Sequence, residues 1–379
     1  MRQTRVLLVT LGLFASSLMT VPSGARADAM GEVDYSASAT GTALYVGALP
    51  PDVGGRVGVR VGFSGATVSA TSPVGTSFDE FGAKVAVGGA GRHVEARGQG
   101  LDVNGLVVAG AAAAGAPPTP SPVTAEVSLV DVPGVASAAL ARGQAAPVWK
   151  EHTCVVGRPM GFGSGRAFGV VTPMAVVDAA RSDAITELRP VGDSISVVAE
   201  AHSEASTVRL LPGTPEQTTI EVLGETVLRA RADGHPGSAA LEYAAVGKEP
   251  SSPLVRITRG KDVVQLTTQQ VFSGGFVLAQ TPVMEIFIGE RTRGSDTAGG
   301  SRPYVGADGV AASGVADLVR VQLVTGGPGE ALEVRIGHLE VEVAVPAGGL
   351  QCPVTAPSAL GQKHADRVEQ AWRRRRGRN

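Results

Sequence analysis

Apolar residues recur at every second position along much of the chain, and this pattern predicts β-strands. The alternation is clearest over residues 57–63, 254–266 and 319–345. Side chains at positions i and i+2 of a strand point to the same face of a sheet, so these stretches would each present one apolar face to a core. Short alternating segments separated by turns are typical of an antiparallel β-sandwich. We therefore expect an all-β, sandwich-like body in one or two domains.

Three details within these stretches make sharper predictions. The segment 57–63 places Val57, Val59, Val61 and Phe63 on one face. The residues Arg-Gly-Lys-Asp at 259–262 separate two alternating arms and predict a hairpin turn. The apolar phase of 332–345 changes by one residue at Gly337, which predicts a β-bulge there.

Helical patterns are rare in the chain. Residues 174–188 have the composition of a short helix, and residues 358–379 form a second helical candidate, a basic C-terminal helix or tail. We expect strands and loops elsewhere.

The N-terminus resembles a secretory signal sequence. Arg2 and Arg5 precede the apolar run 6–21, and an Ala-x-Ala pattern follows at 25–27 or, alternatively, at 27–29. The run is shorter than the roughly 20 residues that cross a bilayer, so cleavage is favoured over retention as an anchor. We expect residues 1–29 to be the signal peptide. The rest would divide into β-rich domains at 30–145 and 146–357 and a basic tail at 358–379, with no transmembrane segment after cleavage.

Charge is distributed unevenly along the chain. Of the formal net charge of −2, residues 361–379 contribute +5 and residues 1–29 contribute +2, which leaves −9 for residues 30–360. An acidic body argues against nucleic acid as a partner. The basic run 372–379 could contact an anionic cell-envelope polymer or lipid, or could be a solvated terminus.

The chain contains two cysteines, Cys154 and Cys352. In an exported protein the simplest expectation is one disulfide between them. A metal or thiol site formed by His152 and Cys154 is the alternative, although two potential ligands without others nearby are a weak signal.

The glycine-rich stretch 153–166, with the sequence TCVVGRPMGFGSGR, matches no phosphate-binding motif. It lacks the spacing and the Lys-Ser/Thr pair of a P-loop, and no βαβ pattern surrounds its glycines. The Gly-Asp-Ser-Ile sequence at 192–195 resembles the first block of GDSL-type esterases, but the later Asp-x-x-His block is missing. We therefore interpret 153–166 as a loop leading into a strand, and we expect no catalytic residue, cofactor site or metal site.

Two alternating stretches place histidine and glutamate on one face of a strand. The two sets are Glu200, His202, Glu204 and His338, Glu340, Glu342. If the two strands were neighbours, six polar groups could gather around a divalent cation. A solvated sheet face is the alternative.

The segment 332–353, LEVRIGHLEVEVAVPAGGLQCP, is similar to the C-terminal part of actinobacterial exported surface proteins of the choice-of-anchor type, and the stretch after Cys154 resembles their mid-chain region. The resemblance implies a secreted or envelope-associated β-protein without an assigned activity. We expect a structural or binding role and no enzymatic activity. An extracellular hydrolase and a carbohydrate- or envelope-polymer-binding module are the alternatives.

Overall fold

The structure of the chain is a computed structural model. It describes residues 35–48, 57–70, 74–78, 84–88, 93–103, 107–116, 121–149, 154, 156–273, 275–280, 284–290, 303–324 and 331–350. The predicted signal peptide, Cys352 and the basic tail lie outside these residues.

The described residues form β-strands and one short helix. Strands β1 to β8 span Ser36–Ala48, Val57–Ser69, Val74–Phe78, Lys84–Gly88, His93–Val103, Val107–Ala109, Ala112–Ala116 and Val123–Val132. Strands β9 to β16 span Ala136–Pro147, Arg158–Val171, Ala175–Val191, Ser194–Ala205, Thr207–Leu210, Thr218–Val222, Thr226–Ala232 and Ala240–Ala245. Strands β17 and β18 span Pro253–Arg259 and Asp262–Thr267, and helix α1 spans Thr268–Phe272. Strands β19 to β23 span Phe276–Gln280, Met284–Glu290, Tyr304–Val305, Ala311–Val324 and Ala331–Ala344.

Two large antiparallel sheets contain nearly all of these strands. The first sheet has the order β19-β20-β22-β23-β1-β2-β5-β6, with β21 on β22 and β7 on β5. The second sheet has the order β16-β15-β12-β11-β13-β14-β17-β18, and β10, β9 and β8 extend it from β11. Strands β3 and β4 form a separate pair. The prediction of an all-β protein is confirmed.

The two sheets pack face to face, as the sandwich prediction requires. Strand β23 lies over β12 and β15, β1 over β11 and β12, and β5 over β9 and β10. Apolar side chains from both inner faces form the core, with Leu44, Leu188 and Ile336 among those that are completely buried. Sheets are hydrophobic on the face that they bury, which accounts for the alternation seen in the sequence.

The pleat of the first sheet inverts along one row that crosses its strands. Gly62, Gly289 and Gly337 have φ angles of 61°, 62° and 69° in β2, β20 and β23. The pairing of β1 with β2 and β23 keeps the same register on both sides of the row, so no residue is inserted. The phase change predicted at Gly337 is confirmed, since Ile336 and Leu339 are both buried. The cause of the phase change is the left-handed backbone conformation of Gly337, which glycine adopts without a steric cost. It is not a bulge in which two residues oppose one.

The same inversion corrects the expected position of Phe63. Val59 and Val61 belong to the core, as expected. Phe63 follows the left-handed Gly62 and lies on the outer face, where the centroid of its ring is 5.7 Å from the guanidinium carbon of Arg60. The prediction that Phe63 shares a face with Val61 was wrong because Gly62 changes the alternation.

The glycine-rich part of the stretch 153–166, residues 158–166, belongs to a strand and not to a loop. Residues 158–171 are β10, and Gly163 and Gly165 point at the first sheet. A Cβ on Gly163 would overlap the carbonyl oxygens of Gly65 and Arg97, and a Cβ on Gly165 would overlap those of Phe63 and Gln99. Glycine in a strand interior often marks such a close approach of another backbone. These glycines therefore allow the two sheets to touch backbone to backbone.

Two further local predictions have opposite outcomes. Arg259 pairs directly with Asp262 around Gly260, whose φ is 58°, so the predicted hairpin is confirmed. The helix predicted at 174–188 was wrong, because these residues belong to the central strand β11, which is hydrogen-bonded to β10 and β12. Tertiary pairing outweighs the weak helical propensity of its alanines.

The predicted domain boundary near residue 145 is crossed by strand pairing. Strand β1 lies before the boundary and pairs with β23, which follows it. The division at residues 30–145 and 146–357 stays a prediction.

Candidate functional site

Charged side chains gather on the outer face of the second sheet, where four neighbouring strands run side by side. Glu200 of β12 lies directly opposite Ile185 of β11 and Arg229 of β15. Arg229 in turn lies opposite Glu242 of β16. Directly opposed residues of antiparallel strands share a face, so these side chains form one row. Because Ala199 and Ala201 of β12 belong to the core, Glu200 points away from the first sheet.

Glu200 is the centre of a buried ionic network on this face. It is only 1% exposed, and its Oε1 accepts hydrogen bonds from Arg189 Nη2 at 2.8 Å and from Arg229 Nε at 2.7 Å. Its Oε2 lies 3.3 Å from His202 Nε2, and His202 Nδ1 lies 2.7 Å from Glu225 Oε1. A buried carboxylate needs such partners because an unpaired buried charge is very costly.

The electrostatics of this network favour the charged forms of its members. Burial alone would raise the pKa of Glu200, but the hydrogen bond and charge of His202 and those of Arg229 hold that pKa far below its usual value. Burial alone would lower the pKa of His202, but its hydrogen bonds to Glu200 and Glu225 raise it. The two carboxylates on either side of His202 therefore favour its protonated form.

A cavity of about 330 Å³ opens on the same face beside this network. Its lining residues come from four adjacent strands at alternating positions: Arg189, Val191, Ser196, Val198, Arg229, Arg231, Ala240 and Glu242. Val198 and Ser196 are buried and form its floor, whereas Arg231 and Glu242 are exposed. The cavity therefore combines a floor of one apolar and one hydroxyl side chain with a charged rim.

The arginines of the cavity retain donors that no described residue uses. Within the described part of the chain, the side chain of Arg231 has no hydrogen bond and no ion pair. Arg189 bonds Glu187 and Glu200 through Nη2 alone, and Arg229 bonds Glu200 and Glu242 through Nε and Nη1. Guanidinium groups bind carboxylates and phosphates through two parallel N–H groups. An anionic group could thus be held here without breaking the network behind it.

The two Glu/His sets singled out from the sequence do not converge. Glu200, His202 and Glu204 lie on the outer face of the second sheet. His338, Glu340 and Glu342 lie on the opposite outer face of the sandwich, because the intervening Leu339 and Val341 are buried in the core. No group of three or more His, Cys, Asp or Glu side chains placed to hold a metal ion occurs among the described residues.

His338 has a structural partner of its own. Its Nδ1 lies 2.7 Å from Oδ1 of Asp317, a residue that is fully buried on β22. Burial would lower the pKa of His338, but the negative charge of Asp317 and its hydrogen bond raise it.

Ser, Asp and His side chains come together at two places, in an order that does not match a catalytic triad. Ser164 donates to Asp183 Oδ1 at 2.7 Å, and His202 lies opposite Asp183 but binds the two glutamates. Serine hydrolases need the imidazole between the hydroxyl and the carboxylate. Here the carboxylate of Asp183 also binds Arg181, so it acts as a buried counter-ion.

Ser194, from the Gly-Asp-Ser-Ile sequence, also bonds an aspartate directly, so that the carboxylate and not the imidazole is the middle group. It donates to Asp233 Oδ2 at 2.8 Å, while His235 Nδ1 lies 3.2 Å from Asp233 Oδ1. Burial would raise the pKa of Asp233, but hydrogen bonds from Ser238, Ser194 and His235 lower it to about 2. Ser194 begins strand β12 directly after the turn at 192–193, where a GDSL-type esterase would have a helix.

Cys154 is described and Cys352 is not. Cys154 is buried and belongs to a core cluster together with Met160 and Leu188. The Cys154–Cys352 disulfide stays a prediction, because Cys352 lies outside the described residues.

The comparisons with known proteins give no relative from which a function could be inferred. No protein-family model and no curated protein matches the chain. The translocator domain of the autotransporter NalP from Neisseria meningitidis is 11% identical, with 83% of this chain and 89% of that chain covered and a TM-score of 0.10. The Ralstonia pickettii toluene transporter TbuX is 8% identical, with 83% and 90% covered and a TM-score of 0.15. Both scores are too low to support an argument about fold or function.

Among the described residues, no helix combines the length and the apolar character needed to span a bilayer.

The sequence analysis missed the arginines of the cavity. The signal was present in the alternation Arg229-Ala230-Arg231, which places two cations on one face of a strand. Their connection with Arg189 depends on the pairing of β11 with β12 and of β12 with β15, which no local pattern reveals.

Proposed function

We propose that the protein is an exported cell-surface or extracellular β-protein that acts by binding and not by catalysis. Its ligand carries an acidic sugar unit, which occupies the cavity on the outer face of the second sheet. The observation that carries the proposal is Arg231, which has no partner among the described residues and stands beside the unused donors of Arg189 and Arg229.

The chemistry of the cavity matches the parts of an acidic sugar. The carboxylate of the sugar would pair with Arg231, since charge-assisted hydrogen bonds are the strongest available in such a site. Its hydroxyl groups would bond Glu242 at the rim and Ser196 in the floor, and its C–H face would lie on Val198 and Ala240. The volume of about 330 Å³ falls at the lower end of the range for small-ligand sites.

Isothermal titration calorimetry with galacturonate tests the binding role, with galactose as the neutral control. We expect galacturonate to bind and galactose to bind much more weakly or not at all. The variant Arg231→Gln should lose about tenfold or more in affinity, because hydrogen bonds to charged groups contribute about that much. Arg256→Gln is the matched control, since Arg256 lies on β17 of the same sheet and outside the cavity. Equal binding of both sugars, or unchanged affinity in Arg231→Gln, would contradict the proposal.

Export is tested separately by secretion of the full chain and N-terminal sequencing of the product. The signal sequence predicts a mature terminus near Asp28 or Met30. A product that remains in the cytoplasm with its original N-terminus would refute this part of the proposal.

A further inference from the structure

Three arginines lie side by side on the outer face of the second sheet, away from the cavity. Arg166 of β10 is directly opposite Arg142 of β9 on one side and Arg181 of β11 on the other. Directly opposed side chains of neighbouring strands have Cβ atoms only about 4.5–5.5 Å apart. We call this set the arginine row.

Arg166, the central member, forms no ion pair with a described residue, although the negative charge of Glu204, which lies opposite Arg181, acts on it. It is half-buried, and its side chain has no hydrogen bond with any described residue. Arg142 approaches Glu126 at 3.6 Å and Arg181 binds Asp183, so each neighbour has an acidic partner of its own. Burial lowers the pKa of Arg166 to about 10, and the positive charges of Arg181 and Arg142 contribute to the shift.

This arrangement costs stability in the absence of a ligand. Like charges directly opposite one another in a sheet are destabilising. Violations of such local rules tend to occur at functional sites. A ligand with several negatively charged oxygens would neutralise the row, with the donor fork of Arg166 and the donors of Arg142 and Arg181 that Glu126 and Asp183 do not use.

We infer that the arginine row, Arg142, Arg166 and Arg181, is a binding site for a tetrahedral oxyanion, a phosphate or sulfate group. A tetrahedral oxyanion offers acceptors in more directions than the planar carboxylate expected in the cavity. The row is a second site, because Arg181 and the cavity residue Arg189 are eight residues apart on β11, about 26 Å along the strand. The inference therefore stands or falls independently of the acidic sugar.

Titration of the full-length protein with inorganic phosphate at constant ionic strength tests this site, with thermal unfolding and calorimetry as readouts. Phosphate should raise the unfolding temperature of the wild-type protein, because a ligand that binds only the folded state stabilises it. Arg166→Gln should weaken phosphate binding about tenfold or more and, without phosphate, should unfold at a higher temperature than the wild type. Arg166→Lys keeps the charge but loses the donor fork, so it should fold normally and bind phosphate more weakly.

The controls separate this site from the cavity. Arg231→Gln should bind phosphate at the row as the wild type does, and Glu204→Gln, which removes the acid opposite Arg181, should bind it more tightly. Vesicles of phosphatidylglycerol, compared with phosphatidylcholine, show whether the phosphate group can be that of a lipid headgroup. Phosphate binding that is absent, unchanged in both Arg166 variants, or lost equally in Arg256→Gln would overturn the inference.

Discussion

Substitution of Gly163 by alanine tests how closely the two sheets approach each other. Gly163 lies in the middle of β10, and its Cα faces the backbone of β2 and β5 in the first sheet. A methyl group at this position would overlap the carbonyl oxygens of Gly65 and Arg97. Both residues lie within strands paired on each side, so their carbonyl groups cannot turn aside.

The expected loss of stability follows from this overlap. Adding one methylene to a tightly packed interior costs about 1–3 kcal/mol, and more where the surroundings cannot relax. Gly163→Ala meets two backbone oxygens at once, and neither is the mobile end of a side chain. We therefore expect a loss of about 3 kcal/mol or more, a large share of the roughly 5–15 kcal/mol that stabilise a typical folded protein. The corresponding fall in the unfolding temperature is about 6 °C or more.

Urea unfolding of Gly163→Ala, compared with Gly115→Ala, measures this effect. Gly115 lies in the edge strand β7, and a Cβ there would have Val94 O as its nearest neighbour, at 3.8 Å. Gly115→Ala should therefore be neutral or stabilising by about 0.4–1 kcal/mol. If the free energy of unfolding of Gly163→Ala lies within about 0.5 kcal/mol of the wild-type value, at an unchanged m-value, the backbone-to-backbone contact is refuted.

Three further predictions concern charge and covalent structure. Glu200→Gln should destabilise by about 3–5 kcal/mol in urea unfolding, because it leaves two partly buried arginines without their shared carboxylate; a loss below about 1 kcal/mol would contradict the network. Folding raises the pKa of His202, so the stability that this residue contributes is fully present below its unfolded-state pKa of about 6.5 and is lost as the pH rises through its folded-state pKa. The unfolding temperature of His202→Gln should therefore decline less steeply above about pH 6.5 than that of the wild type. An unchanged decline would count against a protonated His202. Cys154→Ser should cost about 4–5 kcal/mol if the bond to Cys352 forms, and reductant should have the same effect on the wild type; alkylation of both thiols in the secreted protein would exclude the bond.

Much of the fold could be predicted because its signals are local. The alternation in 319–345, the hairpin at 259–262 and the phase change at Gly337 each depend on a few neighbouring residues. A strand that buries one face must alternate, whatever its partner strand.

The role of the glycine-rich stretch could not be predicted in this way. A glycine that permits a turn and a glycine that permits backbone contact look alike in a sequence. Gly163 was assigned to a loop because its reason for being glycine lies in Gly65 and Arg97, far away along the chain. The prediction of a helix at 174–188 was wrong for a similar reason. Alanine and valine occur in both helices and strands, and the position between β10 and β12 determines that this segment is a strand.

The candidate sites depend on strand order even more strongly. Arg142, Arg166 and Arg181 form a row only because β9, β10 and β11 pair in one register, and a shift by one residue would separate them. The sequence indicated Glu200 and His202 as a pair of interest. It could not show that Arg189 and Arg229 would bond Glu200.

Side-chain NMR of the arginines tests the proposed binding role most directly. In protein labelled with ¹⁵N at arginine, the Nε–H signals of Arg189, Arg229 and Arg231 report on the cavity. Titration with galacturonate should shift these signals in a saturable manner while the signal of Arg256 stays in place, and Arg231→Gln should abolish the shifts of the other two. Signals that do not move, or that all move together in proportion to ionic strength, would contradict a binding site in this cavity.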